Sequence, residues 1–114
     1  MSDCIFCKIV SKEIPSNAVY EDDMILAFHD LNPQAPTHVL VIPKVHFESF
    51  NDMTEEHAEV MGHMTLKIKE IANKLGIAES GYRVVCNCGD DGGQEVKHLH
   101  YHLLGGRKLQ WPPG

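Results

Sequence analysis

Three histidines at alternate positions constrain the fold of this chain more than any other feature. The segment HLHYHLLGG places His98, His100 and His102 two residues apart and ends at Gly105-Gly106. Side chains of a β-strand alternate between its two faces, so the spacing predicts a strand over 98–104 with all three imidazoles on one face. On such a strand neighbouring histidines lie roughly 7 Å apart and the outer two roughly 13 Å apart.

The same three side chains also indicate a catalytic role. Imidazole works as a nucleophile or proton carrier near neutral pH, so one histidine could attack, a second protonate a leaving group and a third fix a neighbour's tautomer. This arrangement suits transfer of an acyl or phosphoryl group. A zinc ion bound by all three is disfavoured, because its ligand nitrogens must lie about 2.0–2.1 Å from one point, whereas a pair with ligands from elsewhere stays open. The alternative is that the histidines are half-buried strand residues satisfied by hydrogen bonds.

The loop before the histidines, GDDGGQEVK, contains Gly92, Gly93 and Gln94. Glycines allow the backbone to approach a ligand closely, and backbone N–H groups with an amide side chain can bind phosphate. A plain turn explains the same residues equally well. Asp90 and Asp91 do not favour an anion and are interpreted as solvent-facing turn residues.

The other segments predict an α+β domain with an antiparallel sheet, because five strands and one long helix do not alternate regularly. VYEDDMILAFHD predicts a hairpin, HVLVIPK a buried central strand ending near Pro43, and YRVVCNCG and HLHYHLL two more strands. The long helix is predicted from Thr54, as N-cap, to Leu75, with Gly76 ending it. Its apolar stripe consists of Ala58, Met61, Met64, Thr65, Ile68, Ile71, Ala72 and Leu75. CIFCKIVSKEIP predicts a short N-terminal helical turn, and 114 residues predict a single domain over 1–114.

Composition excludes several classes of partner. A formal charge of −6 argues against a nucleic-acid polymer, which is bound through a basic face. No apolar run is long enough to cross a membrane, and charged residues within 1–20 exclude a signal core, so a cytoplasmic protein is expected. The four cysteines are then reduced thiols or metal ligands. Cys4 and Cys7, spaced as Cys-x-x-Cys, can hold one metal, although the spacing alone favours two small packed hydrophobes.

The sequence resembles the histidine triad (HIT) superfamily. Residues 98–104 match its His-φ-His-φ-His-φ-φ signature, where φ is apolar and Tyr101 is a loose fit. CIFCKIVSKEIP, AFHDLNPQAPTHVLVIPK, GYRVV, DGGQEV, LLGGR and WPPG resemble the Hint branch, so the resemblance covers nearly the whole chain. His102 stands where the galactose-1-phosphate uridylyltransferase branch has glutamine. The short length and the LLGGR ending differ from the Fhit and scavenger-decapping branches.

The resemblance implies a HIT fold, with a five-stranded antiparallel sheet, one long helix and a short N-terminal helix, in a homodimer that joins two sheets. It also implies binding of purine nucleotides and hydrolysis of nucleoside 5′-phosphoramidates, such as AMP joined to an amine, with no cofactor in catalysis. His100 corresponds to the nucleophile that forms a nucleotidyl-histidine intermediate, and His102 to the residue that contacts phosphate and helps the amine leave. His38 and His98 correspond to the supporting relay.

The resemblance further implies a set of nucleotide contacts. Asp30 corresponds to the carboxylate that binds the ribose hydroxyls, although it could merely start a turn. The residues that correspond to the base pocket are apolar, and each could be simple core: Phe6, Ile14, Phe28 and Leu31. The residues that correspond to the phosphate contacts are Asn87, Gly93 and Gln94. Glu95 stands where animal Hint proteins have serine. An ionised carboxylate cannot donate to phosphate, so either its backbone N–H makes that contact or its side chain turns away.

Related bacterial members of the Hint branch carry the cysteine pair and bind zinc there, whereas animal members lack it. The resemblance therefore implies a structural zinc, and its ligands correspond to Cys4, Cys7, His46 and His98. His98 would then face a metal while the other two histidines of the triad face the substrate.

The C-terminal tail LQWPPG, which contains Trp111, lies near the active site of the other subunit in the Hint branch. Two alternatives to the hydrolase stay open. One is a purine-nucleotide-binding regulatory module with incidental hydrolysis. The other is a zinc hydrolase that uses metal-bound water.

Overall fold

The computed structural model describes residues 3–114, and in that range the chain runs in the order α-β-β-β-α-β-β. The two helices and five strands are α1 (Ile5–Val10), β1 (Ala18–Glu21), β2 (Ile25–His29), β3 (Thr37–Pro43), α2 (Ala58–Leu75), β4 (Tyr82–Val85) and β5 (Tyr101–Gly105). Two single turns of 3₁₀-helix, Phe50–Asp52 and Glu55–His57, precede α2. Within the described range no helix combines the length and apolar content needed to cross a membrane.

All five strands form one antiparallel sheet in the order β1-β2-β3-β5-β4, which confirms the predicted α+β fold. β3 is its central strand, buried from His38 to Pro43 and paired on both sides. In the β3–β5 pair, His38 lies opposite Leu104 and Leu40 lies opposite His102. His38 and His102 are therefore diagonal neighbours on one face of the sheet, a separation that ring side chains can span.

A core cluster lies on each face of the sheet. The larger cluster is formed under α2, and it includes Val39 and Val41 of β3. The smaller cluster is formed under α1 and consists of Phe6, Ile9, Leu26, Phe28, Leu40 and Ile42. Because strand side chains alternate, His38 shares the α1 face with Leu40 and Ile42. The short N-terminal helix thus covers the face that carries the histidines.

Helix α2 departs from its predicted start but not from its predicted end. A separate 3₁₀ turn follows Thr54, so the α-helix begins at Ala58, while Gly76 ends it in the left-handed region at φ 78°. Met64, Ile68, Ile71 and Ala72 are buried as predicted, but the predicted stripe members Ala58 and Thr65 are exposed and Val60 is buried instead. Val60 precedes Met64 by four residues, so the buried stripe begins at Val60, and Ala58 and Thr65 lie outside it.

Strand β5 is shorter than the predicted strand over 98–104. It begins only at Tyr101, opposite Val41, and continuation of that register would place residue 99 opposite Pro43. Proline has no N–H for a ladder hydrogen bond, so residues 98–100 leave the sheet. β4 likewise ends at Val85, opposite His102, which leaves residues 86–88 of the predicted strand outside the ladder. Asn87 and His100 of these two irregular segments line a cavity on the α1 face.

Candidate functional site

A cavity of about 370 Å³ opens on the α1 face of the sheet. Four parts of the chain that are distant in sequence supply its lining: α1, the segment that leads into β3, the loop after β4, and the histidine segment. The lining residues are Ile5, Phe6, Asp30, Asn32, Gln34, His38, Leu40, Asn87, Gly93, Glu95, Val96, His100 and His102. Three of the four histidines that the sequence singles out for catalysis therefore meet in one cavity.

A hydrogen bond to the backbone fixes His100 in a single tautomer. Its Nδ1 lies 2.7 Å from the backbone carbonyl of His98, and since a carbonyl only accepts, Nδ1 carries the proton and donates it. Nε2 of a neutral imidazole in this tautomer is an unprotonated lone pair. The ring is 6% exposed and lines the cavity. His100 can therefore present an unprotonated nitrogen to a ligand, as a nucleophile must.

His38 and His102 form a directional pair beside it. The backbone N–H of Gln34 donates to His38 Nδ1 at 3.0 Å, which places the proton of neutral His38 on Nε2. That Nε2 lies 2.9 Å from His102 Nδ1 and donates to it, so the proton of neutral His102 lies on its Nε2. Asp30 Oδ2 lies 3.4 Å from His38 Nε2. The pair can thus pass a proton along one line, with a carboxylate close enough to stabilise positive charge.

Burial keeps the three cavity histidines neutral. Loss of hydration lowers the pKa of His38 and of His100, and it lowers the pKa of His102 to about 4. The neighbouring histidines lower the pKa of His102 further, while the negative charge of Asp30 raises the pKa of all three rings and so acts against burial. At neutral pH the free protein therefore holds uncharged imidazoles in the cavity.

His98 points away from the cavity toward the N-terminus of α1. The ring is 0% exposed, and its Nε2 donates to the carbonyl of Pro43 at 2.8 Å. The lone pair on Nδ1 consequently faces Cys4 Sγ at 3.4 Å, Cys7 Sγ at 3.7 Å and His46 Nδ1 at 3.1 Å. The structure separates His98 from the other two histidines of the triad, as the resemblance implied.

These four side chains, Cys4, Cys7, His46 and His98, are named the Cys/His cluster below. Its donor atoms all lie within 4.8 Å of one another. The edge of a tetrahedron is about 1.6 times its centre-to-corner distance, so zinc bonds of about 2.0–2.3 Å predict ligand separations of about 3.3–3.8 Å. Four of the six donor pairs lie between 3.1 Å, for His46 and His98, and 3.7 Å, for Cys7 and His98. Donor type and spacing both suit a tetrahedral zinc site.

The groups of the glycine-rich loop that the sequence suggested for phosphate are hydrogen-bonded within the free chain. The N–H of Gly93 donates to the carbonyl of Asp90 at 3.0 Å, and the N–H of Gln94 donates to the carbonyl of Gly89 at 3.0 Å. The Gln94 side chain is 7% exposed and is bonded to Gly89, Glu48 and Val96. These groups hold the loop in shape within the free chain, and phosphate contacts from Gly93 and Gln94 stay a prediction.

Glycine is needed in this loop for steric reasons. A Cβ at Gly92 would lie 2.5 Å from the carbonyl oxygen of Cys88, and Gly93 has a positive φ of 78°. Glu95 follows with an exposed side chain that lines the cavity. Asn87 and Gly93 also line it, so three members of the predicted phosphate-contact set, Asn87, Gly93 and Glu95, reach the cavity.

The predicted base-pocket residues fall into three different positions. Phe6 lines the cavity and packs edge-on against Phe28, with ring centroids 5.7 Å apart. Phe28 and Ile14 belong to the apolar cluster behind Phe6 rather than to the lining. Leu31 is 98% exposed. Leu31 is therefore free to contact a ligand but is not enclosed by this chain, and its role at the base stays a prediction.

Several lining residues were not singled out by the sequence. Leu40 follows His38 at the two-residue period of β3, a signal that could have placed it on the same face. Gln34 acts through its backbone N–H, which fixes the tautomer of His38, and the type of side chain at position 34 does not predict that contact.

A second group of side chains could hold a cation. Donor atoms of Asp30, His38 and His102 lie within 4.8 Å of one another.

Comparison with known proteins gives consistent results. The model of the HIT domain family matches residues 11–109. The chain is 50% identical over 107 residues to the purine nucleoside phosphoramidase of Escherichia coli K12, covering 94% of this chain and 90% of that protein. It is 52% identical over 115 residues to a 14 kDa zinc-binding protein of Zea mays, covering 99% and 89%. The crystal structure of a HIT family hydrolase from Legionella pneumophila has a TM-score of 0.95 at 50% identity, covering 97% of this chain and 99% of that one.

Proposed function

Because the chain belongs to the HIT domain family, we propose that it hydrolyses purine nucleoside 5′-phosphoramidates and releases a nucleoside monophosphate such as AMP. The observation that carries the proposal is the tautomer of His100, whose Nδ1 is bonded to the His98 carbonyl at 2.7 Å and whose Nε2 is therefore a lone pair in the cavity. The phosphoramidase of Escherichia coli, at 50% identity, supports this substrate class.

The reaction runs as two displacements at phosphorus. His100 Nε2 attacks the phosphorus, a histidine–phosphorus bond forms, and the P–N bond to the amine breaks as the amine takes up a proton. Water then attacks the nucleotidyl-histidine, the bond to His100 breaks, and the nucleoside monophosphate leaves. The bond from Nδ1 to the His98 carbonyl stabilises the positive charge that the imidazole gains as it attacks.

His102 and His38 supply the proton that the departing amine needs. His102 Nε2–H is the donor end of the pair, and His38 Nε2 stands behind it at 2.9 Å. A phosphate anion bound beside His102 and the Asp30 carboxylate near His38 favour uptake of one further proton at His38 Nδ1, where it replaces the hydrogen bond from Gln34 N–H. His102 Nε2–H is then given to the amine as the His38 Nε2 proton moves to His102 Nδ1, which leaves two neutral rings. The proton released by the attacking water restores the pair after the second step. General acid–base assistance of this kind contributes about 10²–10⁴-fold to rate.

Cavity residues outside the triad bind the rest of the nucleotide. Asp30 provides carboxylate oxygens for the ribose hydroxyls, although its Oδ1 already accepts the N–H of Asn32 at 2.8 Å. Asn87 provides an amide for the phosphate, and Phe6 an aromatic face for the base. Glu95 contributes no donor from its side chain when ionised, so its part at the phosphate is limited to its backbone N–H.

A homodimer is part of the proposal. β4 is the last strand in the sheet order, and it exposes two apolar side chains, Tyr82 at 37% and Val84 at 41%. Leu66 on α2 is 66% exposed. A sheet edge with apolar residues is suited to pairing with a second copy, which would join the two sheets.

The Cys/His cluster would hold a structural zinc, which cross-links α1 to the segments around His46 and His98. The separations of 3.1–3.7 Å support this assignment, and so does the zinc-binding relative from Zea mays. Catalysis as proposed needs no metal, because His100 supplies the nucleophile directly.

Turnover of adenosine and guanosine 5′-phosphoramidates by the purified protein tests the proposal. We expect release of the amine and of AMP or GMP at a rate that depends on His100. Tight binding of both compounds with no turnover would support a nucleotide-binding regulatory module instead. Turnover without any covalent adduct would support metal-bound water as the nucleophile, with Asp30, His38 and His102 as the candidate ligands.

A further inference from the structure

We propose that the Cys/His cluster positions the catalytic nucleophile, so that loss of its metal lowers the catalytic rate constant of His100 and leaves nucleotide binding largely unchanged. The inference rests on the proposed function. His98 makes the connection, because its side chain belongs to the cluster while its backbone carbonyl accepts the proton of His100 Nδ1 at 2.7 Å. One residue therefore joins the metal ligands to the group that sets the tautomer of the nucleophile.

The peptide unit that carries this carbonyl is held from its other side by the same cluster. The N–H of Leu99, in the peptide that follows His98, donates to the carbonyl of Phe47 at 2.8 Å. Phe47 is the residue directly after His46, a cluster ligand. Since residues 98–100 lie outside the sheet ladder, the orientation of this peptide depends on how the segments around His46 and His98 are held together.

A second contact runs through α1. Phe6 lies between Cys4 and Cys7 in sequence, and its ring meets His98 edge-on at 5.8 Å and His100 edge-on at 5.1 Å. Helix α1 has only six residues, and Cys7 N–H donates to Cys4 Sγ at its N-terminus. Ligation of Cys4 and Cys7 therefore fixes the short helix that places Phe6 against the nucleophile.

Apart from Phe6, the contacts proposed for nucleotide binding lie on segments that the cluster does not hold. His102 is held through His38, and Asp30 and Asn87 come from other segments of the cavity lining. A disordered peptide at His98 would let His100 adopt its other tautomer, with the proton on Nε2, which cannot attack. We therefore expect kcat to fall at least tenfold without the metal, and KM to change less than threefold.

The test uses the full-length chain and a pair of substitutions at His46, which is exposed and can be changed without opening the core. His46→Ala removes one ligand, and His46→Cys keeps four. We expect zinc per chain, measured by elemental analysis, and kcat for adenosine 5′-phosphoramidate to fall together in His46→Ala and to be retained together in His46→Cys. Ile68→Ala is the control for general loss of stability, because Ile68 packs in the core under α2 and is neither a member of the Cys/His cluster nor part of the cavity lining, so both quantities should stay unchanged.

Nitrogen-15 NMR of His100 gives a readout that does not depend on turnover. The zinc-loaded protein should show one tautomer with Nδ1 protonated, and His46→Ala a mixture of both. A metal-free His46→Ala with the parent's kcat and a single His100 tautomer would overturn the inference. If the parent itself fails to hydrolyse phosphoramidates, the proposed function fails, while the NMR comparison still decides whether the cluster positions His100.

Discussion

His38 Nε2 lies 2.9 Å from His102 Nδ1, and the two residues are 64 positions apart in the chain. The register of β3 against β5 brings them together, since it makes them diagonal neighbours on the α1 face. The backbone N–H of Gln34 then fixes the direction of the bond by occupying His38 Nδ1. The sheet thereby builds a two-histidine relay that ends in the cavity.

Replacement of His38 should lower kcat because it removes the donor behind His102. His38→Leu is expected to reduce kcat about 10²-fold, while KM changes much less, because His38 is not a proposed nucleotide contact. His38→Gln is the matched variant, since its amide N–H can still donate toward His102 Nδ1, and it should retain more activity. Steady-state kinetics check both. Equal losses in the two variants would indicate a packing role in place of a relay.

Stability should fall as the pH is lowered below 6.5, in part through His102. Burial lowers the pKa of His102 from its ordinary value of 6.5 to about 4, so between these values the unfolded chain binds a proton that the folded chain does not. Acidification then favours unfolding, with a slope of at most about 1.4 kcal/mol per pH unit from this residue. Above pH 6.5 its contribution is constant.

Urea unfolding of the parent and of His102→Gln checks this expectation. The difference in unfolding free energy between the two should change from pH 6.5 to pH 4.5 and stay constant from pH 7 to pH 8. Ionisations of groups distant from His102 cancel in the difference. Parallel curves across the whole range would show that His102 is not kept neutral by burial.

Zinc should co-purify at about one ion per chain, and its removal by a chelator should lower the melting temperature. Cys4→Ser is expected to lose the metal and some stability while it keeps measurable, though reduced, turnover. Cys88→Ser changes a half-buried thiol outside the cluster, so its zinc content should equal that of the parent. Zinc-free protein from a preparation made without chelators would contradict the assignment.

Deletion of residues 110–114 should change the choice of amine more than the fold. Trp111 is 78% exposed, and its ring lies 5.8 Å from the guanidinium of Arg83, which also donates to the carbonyl of Gln110. Because this segment is so exposed, its removal should take little buried surface from the fold. Turnover across a panel of phosphoramidates with different amines should show altered preference in a protein that remains a folded dimer. The same ranking of amines before and after deletion would count against this role.

The sequence predicted those parts of the site that depend on periodicity or on donor chemistry. The nearly continuous apolar run in HVLVIPK predicted a buried central strand, and β3 is that strand. The Cys-x-x-Cys spacing, with the family resemblance, led to the four residues whose donor atoms converge within 4.8 Å. Both features are local, so they can be recognised without knowledge of the tertiary packing.

Features set by tertiary contacts could not be predicted. Residues 98–100 have the alternation of a strand, yet they leave the sheet because Pro43 ends the partner strand. Gln94 has a side chain suited to phosphate, but the loop satisfies its own buried polar groups with it. Leu31 is as apolar as its neighbours in the predicted base pocket, and nothing in its local sequence indicates that it is exposed.

The central claim is that His100 forms a covalent bond to the nucleotide. The most direct measurement is rapid quenching of a single turnover of adenosine 5′-phosphoramidate, followed by mass spectrometry of the protein and its peptides. We expect an adenylyl adduct on His100 that forms and decays at the rate of turnover. In His100→Ala we expect no adduct and no turnover, with nucleotide affinity within about tenfold of the parent. Full turnover by His100→Ala, or a kinetically competent adduct on another residue, would contradict the claim.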